Sequence, residues 1–212
     1  SAPSTNYPSQ FFANTSTSIM QINNTSGNAF INLFTLTGGP AFAVDGTINS
    51  VNIGKGANSV AGNTVLGEGA LDASVTGGNN TAIGKNSLTA LTSGASNVAV
   101  GSGTLLANTT GGNNVALGTN ALDANTTASS NVAIGHAALT DNTTGTQNVA
   151  VGRAALGTNS TADNNTGIGH NALLSNTTGT ENTVVGALAL DANTTGVSST
   201  AVGYNVLTNQ TT

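Results

Sequence analysis

The sequence predicts an all-β fold: a parallel β-solenoid, of the β-roll or β-helix type, with about nine coils, one for each copy of a short repeat, and an N-terminal β-rich cap. Glycine recurs at a constant interval from Gly67 through Gly84 to Gly203. Only 5% of the residues are charged and 3% are aromatic. Abundant Thr and Val favour strands, and abundant Asn and Gly favour turns. Because a unit as long as the interval from Gly67 to Gly84 is too short for two helices and their turns, helical solenoids are excluded.

Residues 1–45 form a separate module, which we expect to cap or attach the solenoid. The stretch NAFINLFTLTG, residues 28–38, predicts a strand with Phe30 and Phe34 on one face, closed by a turn at Gly38, Gly39 and Pro40. The module holds all three prolines and all five phenylalanines of the chain, which are Pro3, Pro8, Pro40, Phe11, Phe12, Phe30, Phe34 and Phe42.

Residues 46–62 are interpreted as a transition coil. Within VNIGKGANSVAGNTVLG, residues 51–67, the two corner motifs NIG and VLG lie closer together than one full repeat. We therefore expect a shortened coil that leads into the regular ones.

Residues 63–212 repeat the unit N[TV]A[IV]GxxALxxNTTGxx, which starts at Asn63 and, in its ninth and truncated copy, at Ser199. Positions 2–4 are predicted to form a strand, position 5 a glycine corner, and position 9 to lie on a second strand or extended segment. NTTG is predicted as the return turn, with its glycine supplying positive φ, although Ala128 and Ala162 replace it. The corner glycines are Gly67, Gly84, Gly101, Gly118, Gly135, Gly152, Gly169, Gly186 and Gly203.

Two columns of the repeat are predicted to supply the core, because position 4 is always aliphatic and position 9 is always Leu. Position 4 holds Leu66, Ile83, Val100, Leu117, Ile134, Val151, Ile168, Val185 and Val202. Position 9 holds Leu71, Leu88, Leu105, Leu122, Leu139, Leu156, Leu173, Leu190 and Leu207. The asparagines of positions 1 and 12 are expected to stack into hydrogen-bonded ladders.

Several kinds of chemistry are not expected. The net charge is −5 with only Lys55, Lys85 and Arg153 as fixed cations, which argues against nucleic-acid partners. No apolar run is long enough to insert into a membrane, and the absence of cysteine excludes disulfides and thiolate metal sites. Glu68 and Asp72 are interpreted as solvated corner residues, not a catalytic pair. We predict no enzyme activity and no catalytic, cofactor or metal site.

Position 6 of three consecutive coils holds His136, Arg153 and His170. The favoured interpretation is a solvated corner, and the alternative is an ion or anion site at an oligomer axis. Asn142 and Asn176 lie in N-glycosylation sequons that we expect to be incidental. The Thr columns also suggest ice binding, which is disfavoured because adjacent Thr residues on a strand point to opposite faces.

The unit N[TV]A[IV]GxxALxxNTTG resembles the repeat of the same length in phage tail fibres, an array that often precedes a self-cleaving intramolecular chaperone domain. The corner NVAIG, residues 131–135, is also similar to the head repeats of trimeric autotransporter adhesins. The resemblance covers residues 51–212, and residues 45–71 resemble the lead-in of phage fibres. It implies a trimeric β-structured fibre with adhesive or structural duty. Because the repeats continue up to Thr212 and the first residue is Ser1, we expect a processed, trimmed or partial chain whose natural C-terminal tip is missing.

These observations predict a rigid spacer or support for receptor binding, in a virion tail fibre or at a cell surface. The thin core of each coil and its leftover β-branched column independently favour a homotrimer, with columns 2 and 4 or columns 3 and 9 facing the axis. A host receptor or glycan is a further candidate partner. The alternative function is a self-assembling extracellular filament or bacterial surface adhesin, joined head to tail by strand addition through the N-terminal module.

Overall fold

A computed structural model of the chain describes residues 11–14, 19–23, 30–35, 46–48 and 50–211. It divides into two compact units, Ser1–Gly46 and Thr47–Thr212. The described segments contain strands, turns and one short 3-10 turn at Ala57–Ser59, so the predicted all-β class is confirmed.

The first unit contains a three-stranded antiparallel sheet of β1 (Phe11–Asn14), β2 (Ile19–Asn23) and β3 (Phe30–Thr35), in that order. The pairing of β2 with β3 shifts register between Met20 and Gln21. Strand β3 falls where the sequence predicts a strand. The side-chain faces of Phe30 and Phe34 and the turn at 38–40 lie outside the described part of the module.

The second unit is built on an eleven-stranded sheet in which nine strands repeat in parallel, one for each coil. Each parallel strand pairs with its counterpart one repeat further along the chain, for example Ala133 with Ala150. This register confirms the β-solenoid. The strands are β4 (Gly46–Ile48), β5 (Val51–Gly54), β6 (Thr64–Gly67), β7 (Thr81–Ile83), β8 (Val98–Val100), β9 (Val115–Leu117), β10 (Val132–Ile134), β11 (Val149–Val151), β12 (Thr166–Ile168), β13 (Thr183–Val185) and β14 (Thr200–Val202).

The entry to the solenoid differs from a shortened parallel coil. Strand β5 pairs with β6 in the antiparallel direction, with Ile53 opposite Leu66. The segment that follows closes over the first coil, where Ala57 N donates to Leu71 O at 3.1 Å. An antiparallel strand pairs with the edge of β6 that no preceding coil covers, and it thereby protects that edge.

The leucines of position 9 lie in turns, so the predicted second strand is wrong. They have left-handed backbone conformations, with φ of 52° at Leu139 and 53° at Leu122. The turn aims each side chain inwards, and Leu139 is completely buried. Positions 7 and 17 are also left-handed, as at Asn120 (φ 55°) and Asn164 (φ 60°).

The two glycine columns serve different purposes. The corner glycines of position 5 have positive φ, such as 135° at Gly135, where a Cβ would lie 2.5 Å from Gly152 O. In the NTTG turn, however, positive φ occurs at position 17 and not at the glycine, which corrects the prediction. A Cβ on Gly145 would lie 2.5 Å from Asn142 Oδ1, so close packing is what favours a small residue there.

The core lies between the strand and the turn of each coil, and it is made of positions 3, 8 and 9. Position 3 is mostly Ala and position 8 is mostly Ala, and both columns are buried beside the leucines. The leucines from Leu71 to Leu190 are buried as predicted, whereas Leu207 in the last coil is 48% exposed.

Position 4 is not part of this core, which corrects the second predicted column. Alternation along the strand places positions 2 and 4 opposite to position 3, so these side chains point outwards. They are half-buried or exposed, namely Leu66, Ile83, Val100, Leu117, Ile134, Val151, Ile168, Val185 and Val202.

Both predicted asparagine ladders are present and completely buried over most of their length. At position 1, Asn148 N donates to Asn131 Oδ1 at 2.9 Å. At position 12, Asn142 Nδ2 donates to Asn125 Oδ1 at 3.2 Å. The ladders meet at a shared acceptor, because Asn131 Nδ2 and Asn142 Nδ2 both donate to Gly145 O at 2.9 Å. The buried amides of the ladders are thus paired, which removes the cost of burying them.

Candidate interaction surface

The outward side of the parallel strands carries a continuous apolar surface, which we call the outer face and define as positions 2 and 4 of each coil. Leu117 is 45% exposed and Val115 is 37% exposed. Because the strands are in register, each side chain stands above its counterpart in the next coil at about 4.8 Å. The outer face therefore combines a column that is aliphatic in every coil, position 4, with a column of Val or Thr, position 2.

The outer face is most apolar in its middle. In the third to sixth coils both positions are aliphatic, whereas Thr occupies position 2 in the coils on either side. The central residues are Val98, Val100, Val115, Leu117, Val132, Ile134, Val149 and Val151. Three of them, Val98, Val115 and Leu117, are exposed, and the other five are half-buried. A contiguous apolar patch at the surface is typical of sites of association.

The side chains of position 6 follow the corner glycine and form a second exposed column. His136, Arg153 and His170 are all exposed, in agreement with the predicted solvated corner. Arg153 Nη1 lies 3.1 Å from His170 Nε2. Because a guanidinium only donates hydrogen bonds, this contact is a hydrogen bond when His170 Nε2 carries no proton. In the first two coils the same column holds an ion pair, Lys85 Nζ to Glu68 Oε2 at 3.3 Å, with both side chains more than half exposed.

The main chain at position 6 is also distinctive. Position 5 and position 7 each donate a hydrogen bond to the preceding coil, as from Gly135 N to Leu117 O (2.8 Å) and from Ala137 N to Thr119 O (3.0 Å). Throughout the described coils, the N–H of position 6 between them donates none. The main-chain N–H groups of this column thus have no acceptor within the described coils.

The threonines of positions 13 and 14 do not form a two-column exposed array. Thr143 is half-buried and its Oγ1 donates to Ser160 O at 3.1 Å, whereas Thr144 is exposed. The asparagine of this sequon, Asn142, is completely buried, as is Asn176. Neither amide nitrogen is accessible for glycosylation in the folded coil.

The acidic residues do not converge. Among the described residues there is no group of three or more His, Asp or Glu side chains able to hold a metal ion. Glu68 forms an ion pair with Lys85, and Asp72 is exposed to solvent. Asp123 accepts a hydrogen bond from Thr140 Oγ1 at 2.6 Å, and Asp163 accepts one from Thr146 Oγ1 at 3.0 Å.

The residues of the outer face are visible in the sequence, although the constant aliphatic character of position 4 predicts an interior column. The signal for the correct assignment is the strand alternation itself: with small Ala at position 3, positions 2 and 4 must share the opposite face. The free N–H groups of position 6 carry no sequence signal, because they result from the path of the main chain.

No helix among the described residues has the length and hydropathy of a membrane-spanning segment. No protein-family model matches the chain, and comparison with curated proteins and with solved structures likewise finds no match.

Proposed function

We propose that the chain is a non-enzymatic segment of a fibre, most consistent with a phage tail fibre of the virion, that acts as a rigid spacer or support for receptor binding. The observation that carries this proposal is the outer face: a regular array of aliphatic side chains, with Thr at position 2 of the outer coils, on a stack of nine coils and with no partner within the described chain. A cell-surface or other extracellular fibre would use the same stack in the same way.

The partner that best fits the outer face is a further copy of the same chain. A surface that repeats about every 4.8 Å is matched coil by coil only by a surface with the same repeat. Cyclic association of identical chains provides that match at every interface. We therefore propose a homotrimer in which positions 2 and 4 face the axis, since positions 3 and 9 are already enclosed within each coil.

Rigidity follows from how the coils are joined. Each coil is linked to the next by strand pairing, by main-chain bonds such as Thr81 N to Asn97 O (2.8 Å), and by two buried amide ladders. The nine strands span roughly 40 Å at one inter-strand spacing per coil. A spacer needs this combination of length and stiffness.

Light scattering on the purified chain tests the trimer directly. The expected mass is about three times the 20.5 kDa of one chain. Ile134→Lys should shift the mass towards a single chain, because it places three charges at the proposed axis. The matched control is Thr144→Lys, an exposed position in the same coil, which should remain trimeric. A parent mass of 20.5 kDa in dilute buffer would contradict the proposal.

A second candidate is a head-to-tail filament or surface adhesin formed by strand addition. Strand β14 lies at the edge of its sheet in the described structure, and the N-terminal unit supplies strands of its own. An edge strand is a template for pairing with another chain. Electron microscopy distinguishes the two: discrete short rods support the spacer, and unlimited threads support the filament.

A further inference from the structure

The position 6 column of the fifth to seventh coils, defined by His136, Arg153 and His170, has features that neither the fold nor the proposed spacer function requires. The three side chains are exposed and stand on consecutive coils. Thr119 and Ala187 flank them in the column, so no acidic residue is adjacent to them along it.

The cationic head of Arg153 has no carboxylate partner in the described structure. The one ion pair among the described residues joins Lys85 to Glu68, in the same column but at the other end of the stack. The hydrogen bond of the Arg153 guanidinium is to the neutral acceptor His170 Nε2, and it leaves the other guanidinium donors unused within the described coils.

The polar groups beside Arg153 in this column are N–H hydrogen-bond donors. His170 presents its Nδ1–H when Nε2 accepts from Arg153, and His136 presents at least one ring N–H. The main-chain N–H groups of the same three residues donate no hydrogen bond within the described coils. Donors without acceptors, grouped around one fixed positive charge, are the chemistry that binds oxyanions.

We propose that the His136–Arg153–His170 column is a binding site for the anionic groups of an acidic polysaccharide, with Arg153 as its central residue. The shared chemistry is a planar or tetrahedral oxyanion, a carboxylate or a sulfate, that accepts two hydrogen bonds from the guanidinium fork. A linear polymer fits better than a single ion because the donors extend along the stack, one set for each coil.

Titration calorimetry with three tetrasaccharides tests the site: one sulfated, one carboxylated and one neutral. Binding of at least one anionic sugar is expected, and it should weaken on raising NaCl from about 50 to about 500 mM. Arg153→Gln should weaken it about tenfold or more, since a charge-assisted hydrogen bond is lost. Arg153→Lys should give an intermediate affinity because it retains the charge without the fork.

The matched control is Lys85→Gln, which removes the same charge from the same column and should leave the affinity unchanged. Equal loss in Lys85→Gln, equal binding of the neutral sugar, or no binding of either anionic sugar would overturn the proposal. The anionic sugar that binds more tightly identifies the group. Light scattering on the same samples reports the oligomeric state separately, so a failure of the site is distinct from a failure of the trimer.

Discussion

The leucines of position 9 adopt a main-chain conformation that leucine rarely takes. A left-handed conformation costs an L-residue with a Cβ about 1–2 kcal/mol. Complete burial of the Leu139 side chain returns about 1.5–3 kcal/mol. Burial of the side chain is thus large enough to offset the strain, and the turn directs the one large apolar side chain of this coil into the core.

Leu139→Asp is expected to be among the most destabilising single changes in the chain, because it buries a charge where no polar partner exists. Leu139→Ala should cost about 2–5 kcal/mol through the cavity that it leaves. Thermal unfolding followed by circular dichroism measures both. The same substitutions at Leu207, which is 48% exposed, should cost far less. A Leu139→Asp protein that melts with the parent would show that Leu139 is not internal.

Asn142→Asp tests the ladders with almost no change of shape. The substitution removes the donor to Gly145 O and Asn125 Oδ1 and places a carboxylate beside both acceptors. We expect a loss of about 3 kcal/mol or more. The control is Asn164→Asp, at the exposed position 17, which should change the free energy of unfolding by no more than about 0.5 kcal/mol. Similar melting of the two variants would mean that the buried ladder contributes little.

No single strand of the solenoid is long enough to be stable on its own. Each parallel strand of the regular coils from β7 onwards has three residues, so it is held by its neighbours and by the corners that position it. The corner glycine makes this close stacking possible, since its carbonyl lies where a Cβ of the preceding glycine would be.

Gly135→Ala should therefore destabilise the solenoid by about 2 kcal/mol or more, because φ of 135° is unfavourable for Ala and Gly152 O blocks the added methyl. Gly167→Ala is the matched control: it lies at position 3, where Ala is usual, and the nearest atom to its Cβ is Leu156 Cγ at 3.2 Å. That variant should be neutral or slightly stabilised. Denaturant unfolding of both proteins measures the contrast, and equal destabilisation would refute the distinction between the columns.

The sequence predicts correctly the features that recur in every repeat, but it does not predict the features that depend on the path of the main chain. The repeat register, the strands, the position 9 core and the Asn ladders all follow from side-chain type at fixed spacing. The left-handed conformation of Leu139 does not, because leucine has no preference that indicates it. The antiparallel β5 resembles a parallel corner in sequence, and direction along a sheet is not encoded in so short a motif. The residues of the outer face can be recognised in the sequence, but the constant aliphatic character of position 4 wrongly predicts that this column is interior.

At the scale of the whole molecule, the composition of the outer face allows assembly to be weakened without disturbing the coil. Thr already occupies position 2 in five of the nine coils, so Val115→Thr, Val132→Thr and Val149→Thr together preserve strand propensity. We expect this triple variant to retain its circular dichroism spectrum, while the proposed trimer should dissociate at higher protein concentration than that of the parent, because apolar contact would be lost in three subunits at once. Sedimentation over a dilution series measures this, and unchanged dissociation would place the interface elsewhere.

The ladders have a consequence for how long such a protein is. Asn131 Oδ1 accepts a hydrogen bond from Asn148 N, just as Asn114 Oδ1 accepts one from Asn131 N. Each coil therefore makes the same contacts with the coil before it and the coil after it, and one coil can replace another. Removing residues 131–147 would bring Asn148 against Asn114 with the same partners, and duplicating them would add one more coil. The length of the stack therefore changes only in whole steps of about 4.8 Å.

The protein without residues 131–147 should fold, and its stack should be shorter by one such step, whereas deletion of only half that segment should prevent folding. The length of the stack can therefore be altered by whole repeats without redesigning any contact within it.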